Sequence, residues 1–302
     1  MSTPNLSPGL RKRRLFAYLL LVIAVASWGV NWAVARAVTH EVTPFALVFW
    51  RWLLAGLILL PFAAGHAWRD AATAAAHWKW LVFFGISGAA AFPMLGYLGL
   101  QYTTAINASL LNTSAPLFMI PAAWLIRGDT VGRWQLAGLP LSLAGALVIV
   151  SAGDFTTLAT FSFNPGDLLV MGAIVLWALY TVLLDRRPRM HPLSFLLFSI
   201  AAAVAFSAPF YAYDLISGTV TPVNLRTLSA IGYLAVFPSV IAYICWNHAV
   251  PIVGPNAASF FNPLVPVFGT LAAVVLLGEQ LHPYHLAGFA LVLAGLVLTS
   301  RR

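Results

Sequence analysis

The sequence predicts an all-α integral membrane protein, built as ten transmembrane helices in two inverted five-helix repeats. Three observations predict it. Apolar residues make up 61% of the 302 and charged residues only 8%, against roughly 25% charged in soluble domains, too few to clothe a surface in water. The apolar residues gather into runs of the length a bilayer-crossing helix needs, about 20 residues. Finally, Asn112, Pro116, Gly128, Asp129, Gly138 and Gly145 recur at one constant offset as Asn262, Pro266, Gly278, Glu279, Gly288 and Gly295.

Taken in order, residues 1–14 read as a cytoplasmic tail, disordered over its first ten residues and basic at Arg11–Arg14. The apolar run that follows reaches Val38, past the 7–15 residues of a removable signal segment. The first span is therefore 15–38 and is retained, despite the small residues Ala24-Val25-Ala26. Spans 43–64, 79–101, 107–126 and 134–151 complete a first repeat over 15–151. An extracytoplasmic linker, 152–165, leads to the second repeat over 166–300. Its spans are 166–185, 192–212, 230–250, 254–277 and 285–300, with little more than Pro251 to Pro255 between the eighth and ninth. The runs lack the dyad alternation of a barrel, and glycine and proline within them are tolerable where neighbouring helices satisfy the freed backbone.

Charge orients the spans. With the amino terminus inside, the cytoplasmic set is Arg11, Lys12, Arg13, Arg14, Arg69, Lys79, Arg127, Arg133, Arg186, Arg187, Arg189, Arg301 and Arg302, while the outer loops hold only Arg226. This is the positive-inside bias, and it places both termini in the cytoplasm of a bacterial-type cytoplasmic (inner) membrane. The net charge of +8 is therefore topogenic. Aromatic residues interleave with apolar runs and not with basic ones, which argues against a nucleic-acid partner. Five helices per repeat is an odd number, so the second repeat enters from the opposite face. In folds of this kind the substrate site lies near the midplane between the halves.

The chain resembles the EamA family of the drug/metabolite transporter superfamily over nearly its whole length. The resemblance rests on Trp28-Gly29 with Asn31, Pro44 followed by Arg51, Asn112 to Pro116, and Gly128-Asp129. In the second half it rests on Gly166-Asp167-Leu168-Leu169, Trp177-Ala178-Leu179-Tyr180, Asn262-Pro263-Leu264 with Pro266, Gly278-Glu279, and the Gly288/Gly295 pair. Asp129 departs from the glutamate more common there. The resemblance implies ten helices, two repeats, and export of amino acids or other small metabolites, usually without ATP.

Candidate pathway residues follow from helical spacing, since positions three and four apart share a face. Trp28, Asn31 and Trp32 share one face of the first span; Trp177, Tyr180 and Thr181 share the matching face of the sixth. Both leading tryptophans fall near mid-span, where an aromatic floor with a few polar groups suits a small amphipathic solute; simple interhelical packing is the competing role. Tyr97 with Gln101, and Tyr243 with Asn247, form a second matched set, placed as rim or gate residues at opposite faces. Asn112 and Asn262 lie near prolines, as pathway residues or as interhelical hydrogen-bond partners. Gly128-Asp129 and Gly278-Glu279 end helices at the membrane edge.

Arg51 lies eight residues past Thr43, roughly 12 Å along a helix, where a charge is expensive. It meets a substrate carboxylate, snorkels, or binds helix-end carbonyls; its repeat counterpart is Ser199, so the scaffold does not require it. Arg36 reads as an interfacial anchor. None of the eight carboxylates lies at a span centre, which leaves His248 as the one ionisable group near the inner end of the eighth span. Facilitated diffusion or exchange is as consistent as proton antiport.

No phosphate-cradling loop, zinc spacing or other cofactor motif is present, and the lone Cys245 precludes an intramolecular disulfide. His282 and His285 have no third ligand near in sequence. The rival reading, an intramembrane enzyme acting on lipid or peptide, would need a nucleophile with its base or paired carboxylates; Ser87, Ser109, Ser114 and Ser239 sit in no such setting. A sensor would need an output domain that the chain lacks. The expected partners are a small-molecule substrate and membrane lipid, the protein acting as a monomer or homodimer.

Overall fold

The computed structural model describes residues 8–38, 41–103, 111–154, 156, 164–277 and 280–300. All regular structure among them is helical, and seven helices are long and apolar enough to cross a membrane. The first runs Pro8–Val38, so residues 8–10, expected to be disordered, are helical; residues 1–7 lie outside the described residues. The second, Pro44–Ala76, continues well past the expected end at 64. Its extension carries Arg69 and Asp70 and then an alanine-rich stretch, good helix formers that need no bilayer.

The helix starts are written locally. Thr43 accepts from the Ala46 amide at 3.1 Å ahead of Pro44. Asn164 and Asp167 cap Pro165–Leu183 reciprocally, at 3.2 and 2.9 Å. Such caps satisfy orphan amides, and proline at the first helical position costs nothing there. Gly128 ends Ala115–Arg127 at φ 71°, a left-handed conformation that favours glycine. Its repeat counterparts Gly278 and Glu279 lie outside the described residues.

Packing joins the two halves of the chain everywhere. Pro44–Ala76 lies against Pro192–Ile216, and Arg133–Val150 against Pro283–Ser300. The first helix packs on Ala242–Val253 and Leu264–Leu277, while Pro165–Leu183 packs on Phe92–Gly99 and Ala115–Arg127. Exchanging the halves maps this set of contacts onto itself. The repeated glycines carry one of the crossings: a Cβ on Gly145 would meet the Gly288 carbonyl at 2.6 Å, and one on Gly138 the Gly295 carbonyl at 2.6 Å. Backbones approach this closely only where small residues line both helices.

Three departures from continuous helix position the site. The third and eighth spans each contain a π-helical stretch, Gly85–Ala91 and Ala235–Ile241; of the matched prolines, Pro93 follows the first and Pro238 lies inside the second. The expected ninth span, 254–277, is not one helix. Pro255–Ser259 is followed by a turn over 260–263 before Leu264–Leu277, because Pro263 has no amide to donate and biases Asn262 away from the helical conformation. In the first half Ser114 similarly interrupts helix just ahead of Ala115–Arg127.

Candidate functional site

A cavity lies where the two halves meet, lined by Trp28, Asn31, Arg51, Phe92, Pro93, Tyr97, Asn112, Trp177, Tyr243, Asn262 and Val265. It holds about 510 Å³ of space free of protein atoms, part of it continuous with open solvent. Helix breaks supply much of its wall: Asn112 and Asn262 sit at the interrupted helices, and Phe92-Pro93 closes a π-helical stretch. Irregular backbone within a membrane bundle is tolerated where it is buried in protein or lines a cavity, and π-helical turns recur at functional sites.

A carbonyl in each π stretch accepts a hydrogen bond from a cavity side chain of the other half. The Trp28 indole donates to the Pro238 carbonyl at 3.1 Å, and the Tyr243 hydroxyl donates to the Gly88 carbonyl at 2.5 Å. First-half residue meets second-half π stretch, and the reverse. Around these bonds the aromatic rings form a continuous floor. Trp28 meets Trp177 edge-on at 4.9 Å, Trp177 stacks on Tyr180 at 5.1 Å and 9°, and Trp246 contacts both tryptophans. Edge-to-face and stacked pairs are the favourable aromatic geometries.

Past these rings further bonds tie the bundle together. The Tyr180 hydroxyl donates to Asn247 Oδ1 at 2.7 Å, and Arg187 donates to the Asn247 carbonyl at 2.7 Å. Burial holds the Arg187 guanidinium below its ordinary pKa, although it stays charged in any physiological buffer. The same end carries the ion pair of Arg127 with Asp185 and the His191 amide bound to Asp70 at 2.9 Å. At the other end Thr103 donates to Asp167 at 2.5 Å, Thr43 bonds Asp214, and Arg226 pairs with Glu41 at 3.0 Å. Gln101 belongs to this second end and is exposed.

Arg51 is 97% buried, its side chain spanning both halves. Its Nε donates to Ser239 Oγ at 2.9 Å, and Nη1 donates to the Tyr97 hydroxyl at 2.8 Å and to Asn31 Oδ1 at 3.4 Å. The Tyr97 hydroxyl in turn donates to Asn31 Oδ1 at 3.3 Å. The guanidinium carbon stands 5.1 Å from the Trp52 ring centre.

Of the residues singled out from sequence, Trp28, Asn31, Arg51, Tyr97, Asn112, Trp177, Tyr243 and Asn262 share the cavity wall. Tyr180 and Asn247 lie beneath the floor, and Gln101 is off the wall altogether. The Trp32 and Arg36 side chains lie outside the described residues, as does Asn107. Asn262 donates to the Ser259 carbonyl at 3.0 Å, within its own broken segment. His248 is exposed, edge-on to Phe16, and apart from the cavity. Spacing missed Ser239 and Trp246 as site residues. Trp246 is three residues past Tyr243, a usable signal; Ser239 had none, since its partner is 188 positions away in the chain. The Ser87, Ser114 and Ser239 hydroxyls all donate to carbonyls of their own helices, so none is poised as a nucleophile; Ser109 lies outside the described residues.

Comparison with known proteins agrees with this architecture. The EamA-like transporter family matches residues 15–151 and again 164–301. An uncharacterized transporter of Archaeoglobus fulgidus is 32% identical over 293 residues, covering 94% of this chain and 97% of that protein. The Bacillus subtilis transporter YyaM is 28% identical, over 95% of this chain and 94% of its own. A Streptantibioticus cattleyicolor protein named "Probable terminal-alkyne amino-acid exporter" is 30% identical, over 72% and 71%. A crystal structure 22% identical superposes with a TM-score of 0.78 over 96% of each chain, a likeness of fold. Matched twice along nearly its entire length, this multi-pass helical protein belongs to the EamA-like transporter family.

Proposed function

We propose that the protein is a secondary carrier exporting small metabolites, amino acids among them, across the cytoplasmic membrane by alternating access. In this reading ten helices form two inverted repeats with both termini inside. Ala115–Arg127, Leu264–Leu277 and Pro283–Ser300 join the seven longer helices to make the ten. The observation that carries the reading is the cavity between the halves and its unequal ends. Beneath the aromatic floor Tyr180, Asn247 and Arg187 seal one side, while Gln101, the repeat counterpart of Asn247, is exposed on the other.

Support for the inversion comes from which helix ends meet. Thr43, just before the second helix, bonds Asp214 near the end of the seventh, and Thr103, after the third, bonds Asp167 at the start of the sixth. Arg127, ending the fourth, pairs with Asp185 at the end of the sixth. Antiparallel traverses satisfy all three. Alternating access then exchanges the conformations of the halves. Asn31 corresponds to Tyr180 and Gln101 to Asn247, so closing the outer side brings Asn31 to Gln101. The relative named an amino-acid exporter favours that substrate class.

The test is flux into proteoliposomes with an amino-acid and metabolite panel. Saturable counterflow that an Asn31→Cys/Gln101→Cys disulfide blocks and a reductant restores is the expected result. Absence of saturable flux for every member overturns the carrier reading.

A further inference from the structure

Arg51 is held by neutral groups alone. Ser239, Tyr97 and Asn31 fix its orientation through Nε and Nη1, but none offsets its charge, and among the described residues no carboxylate pairs with it. Arg127, by contrast, pairs with Asp129 and Asp185, and Arg226 with Glu41; Arg187, which also lacks a carboxylate partner, bonds the Asn247 carbonyl and does not line the cavity. Nη2 has no hydrogen-bond acceptor among the described residues, and it is not among the fully enclosed polar atoms left without a partner. The guanidinium edge carrying Nη2 thus keeps access to the cavity that Arg51 lines. An uncompensated charge at this depth is costly, and a ligand that supplies the counter-charge recovers that cost.

We propose that Arg51 is the anion-recognition point of the cavity, binding a single carboxylate of the transported solute through the Nη2 edge while the apolar body lies against Trp28, Phe92, Trp177 and Tyr243. One cation in an otherwise neutral wall matches a monoanion and leaves a dianionic phosphate half-neutralised. The guanidinium arrives oriented, because its three partners come from three different helices, and a preorganised donor loses little entropy on binding. Charge-assisted hydrogen bonds of this kind are roughly twice as strong as neutral ones. A lysine would retain charge without the fork and without the bonds that aim it. The inference rests on the carrier reading only for calling the ligand a transported solute; the site itself is a binding property.

The experiment is a binding titration on purified protein in detergent, following tryptophan fluorescence. The probes are 3-phenylpropionate, its amide 3-phenylpropionamide, and phenyl phosphate. Wild type should bind the carboxylate about tenfold or more tighter than the amide of the same shape, and tighter than phenyl phosphate. Arg51→Gln should bind acid and amide alike, with Arg51→Lys in between. Equal affinity of wild type for acid and amide overturns the proposal and needs no variant, so a poorly folding Arg51→Gln leaves the test intact. Preference for phenyl phosphate also overturns it, as does an acid-to-amide ratio unchanged in folded Arg51→Gln. A purely structural Arg51 would lower the affinity of both probes together and leave that ratio unchanged. Saturable flux of neutral solutes without acid preference would overturn this site and leave the carrier standing.

Discussion

The aromatic floor depends on a few rings doing two jobs. Trp28 fills space against Trp177 and Trp246 while its indole satisfies a carbonyl of the opposite half's π stretch. Trp28→Ala therefore removes ring contacts worth about 0.5–1.5 kcal/mol each and leaves the Pro238 carbonyl without its donor. We expect Trp28→Ala and Trp177→Ala each to cut transport by about tenfold or more relative to folded protein in the membrane, on the scale of 1.4 kcal/mol per decade. Phenylalanine should retain more activity, and more so at Trp177, whose aromatic contacts a phenyl ring can partly keep, than at Trp28, which also loses its hydrogen bond. Flux normalised to membrane abundance decides it; normal flux in both alanine variants would make the rings mere packing. Beneath them, Tyr180→Phe removes only the hydroxyl that holds Asn247. It should raise cytoplasmic labelling of a cysteine placed at Trp177, with unchanged labelling arguing against a seal at that bond.

At the scale of elements, the glycine-lined crossing of Arg133–Val150 with Pro283–Ser300 is tight packing, while the broken helices line the cavity. A side chain at Gly145 has no room, since its Cβ alone would stand 2.6 Å from the Gly288 carbonyl and from the Val292 amide. Gly145→Val should cost about 1–3 kcal/mol as overpacking and lower the apparent melting temperature in detergent. The same change at Gly65, which has open space around it, should cost far less, as helix propensity alone favours leaving glycine. Equal melting temperatures for the two variants would mean that the crossing yields easily. By contrast, Gly88 faces the Tyr180 ring from within a π stretch. Gly88→Ala should disturb Tyr180 and its bond to Asn247, reducing flux more than abundance, as the ratio of the two in membranes will report.

At the scale of the molecule, topology is the central quantity. Single cysteines on a Cys245→Ser background test it. At Arg69 and Arg186 they should react with an impermeant reagent only from the cytoplasmic side, and at Asp154 and Gly218 only from outside. All four positions are exposed, so access to the reagent is not the variable. Labelling of Arg69 and Asp154 from one common side would rule out five traverses per half.

What the sequence determined by itself was class and correspondence. Composition demanded a bilayer, and the offset between Asn112 and Asn262 paired the halves; eight of the twelve residues nominated for the pathway line one cavity. These are properties of the linear chain, legible without knowing which helices pack together. Tertiary structure alone decided the rest. Pro93 and Pro238 marked irregular helix near Gly85 and Ala235, but not that Trp28 and Tyr243 would each reach a π-stretch carbonyl of the other half. Nothing near Arg51 pointed to Ser239, and spacing placed Gln101 and Asn247 as equals where the fold exposes one and buries the other. A hydrogen bond between residues 188 positions apart exists only once the helices have packed, and a cavity is a property of the space they leave.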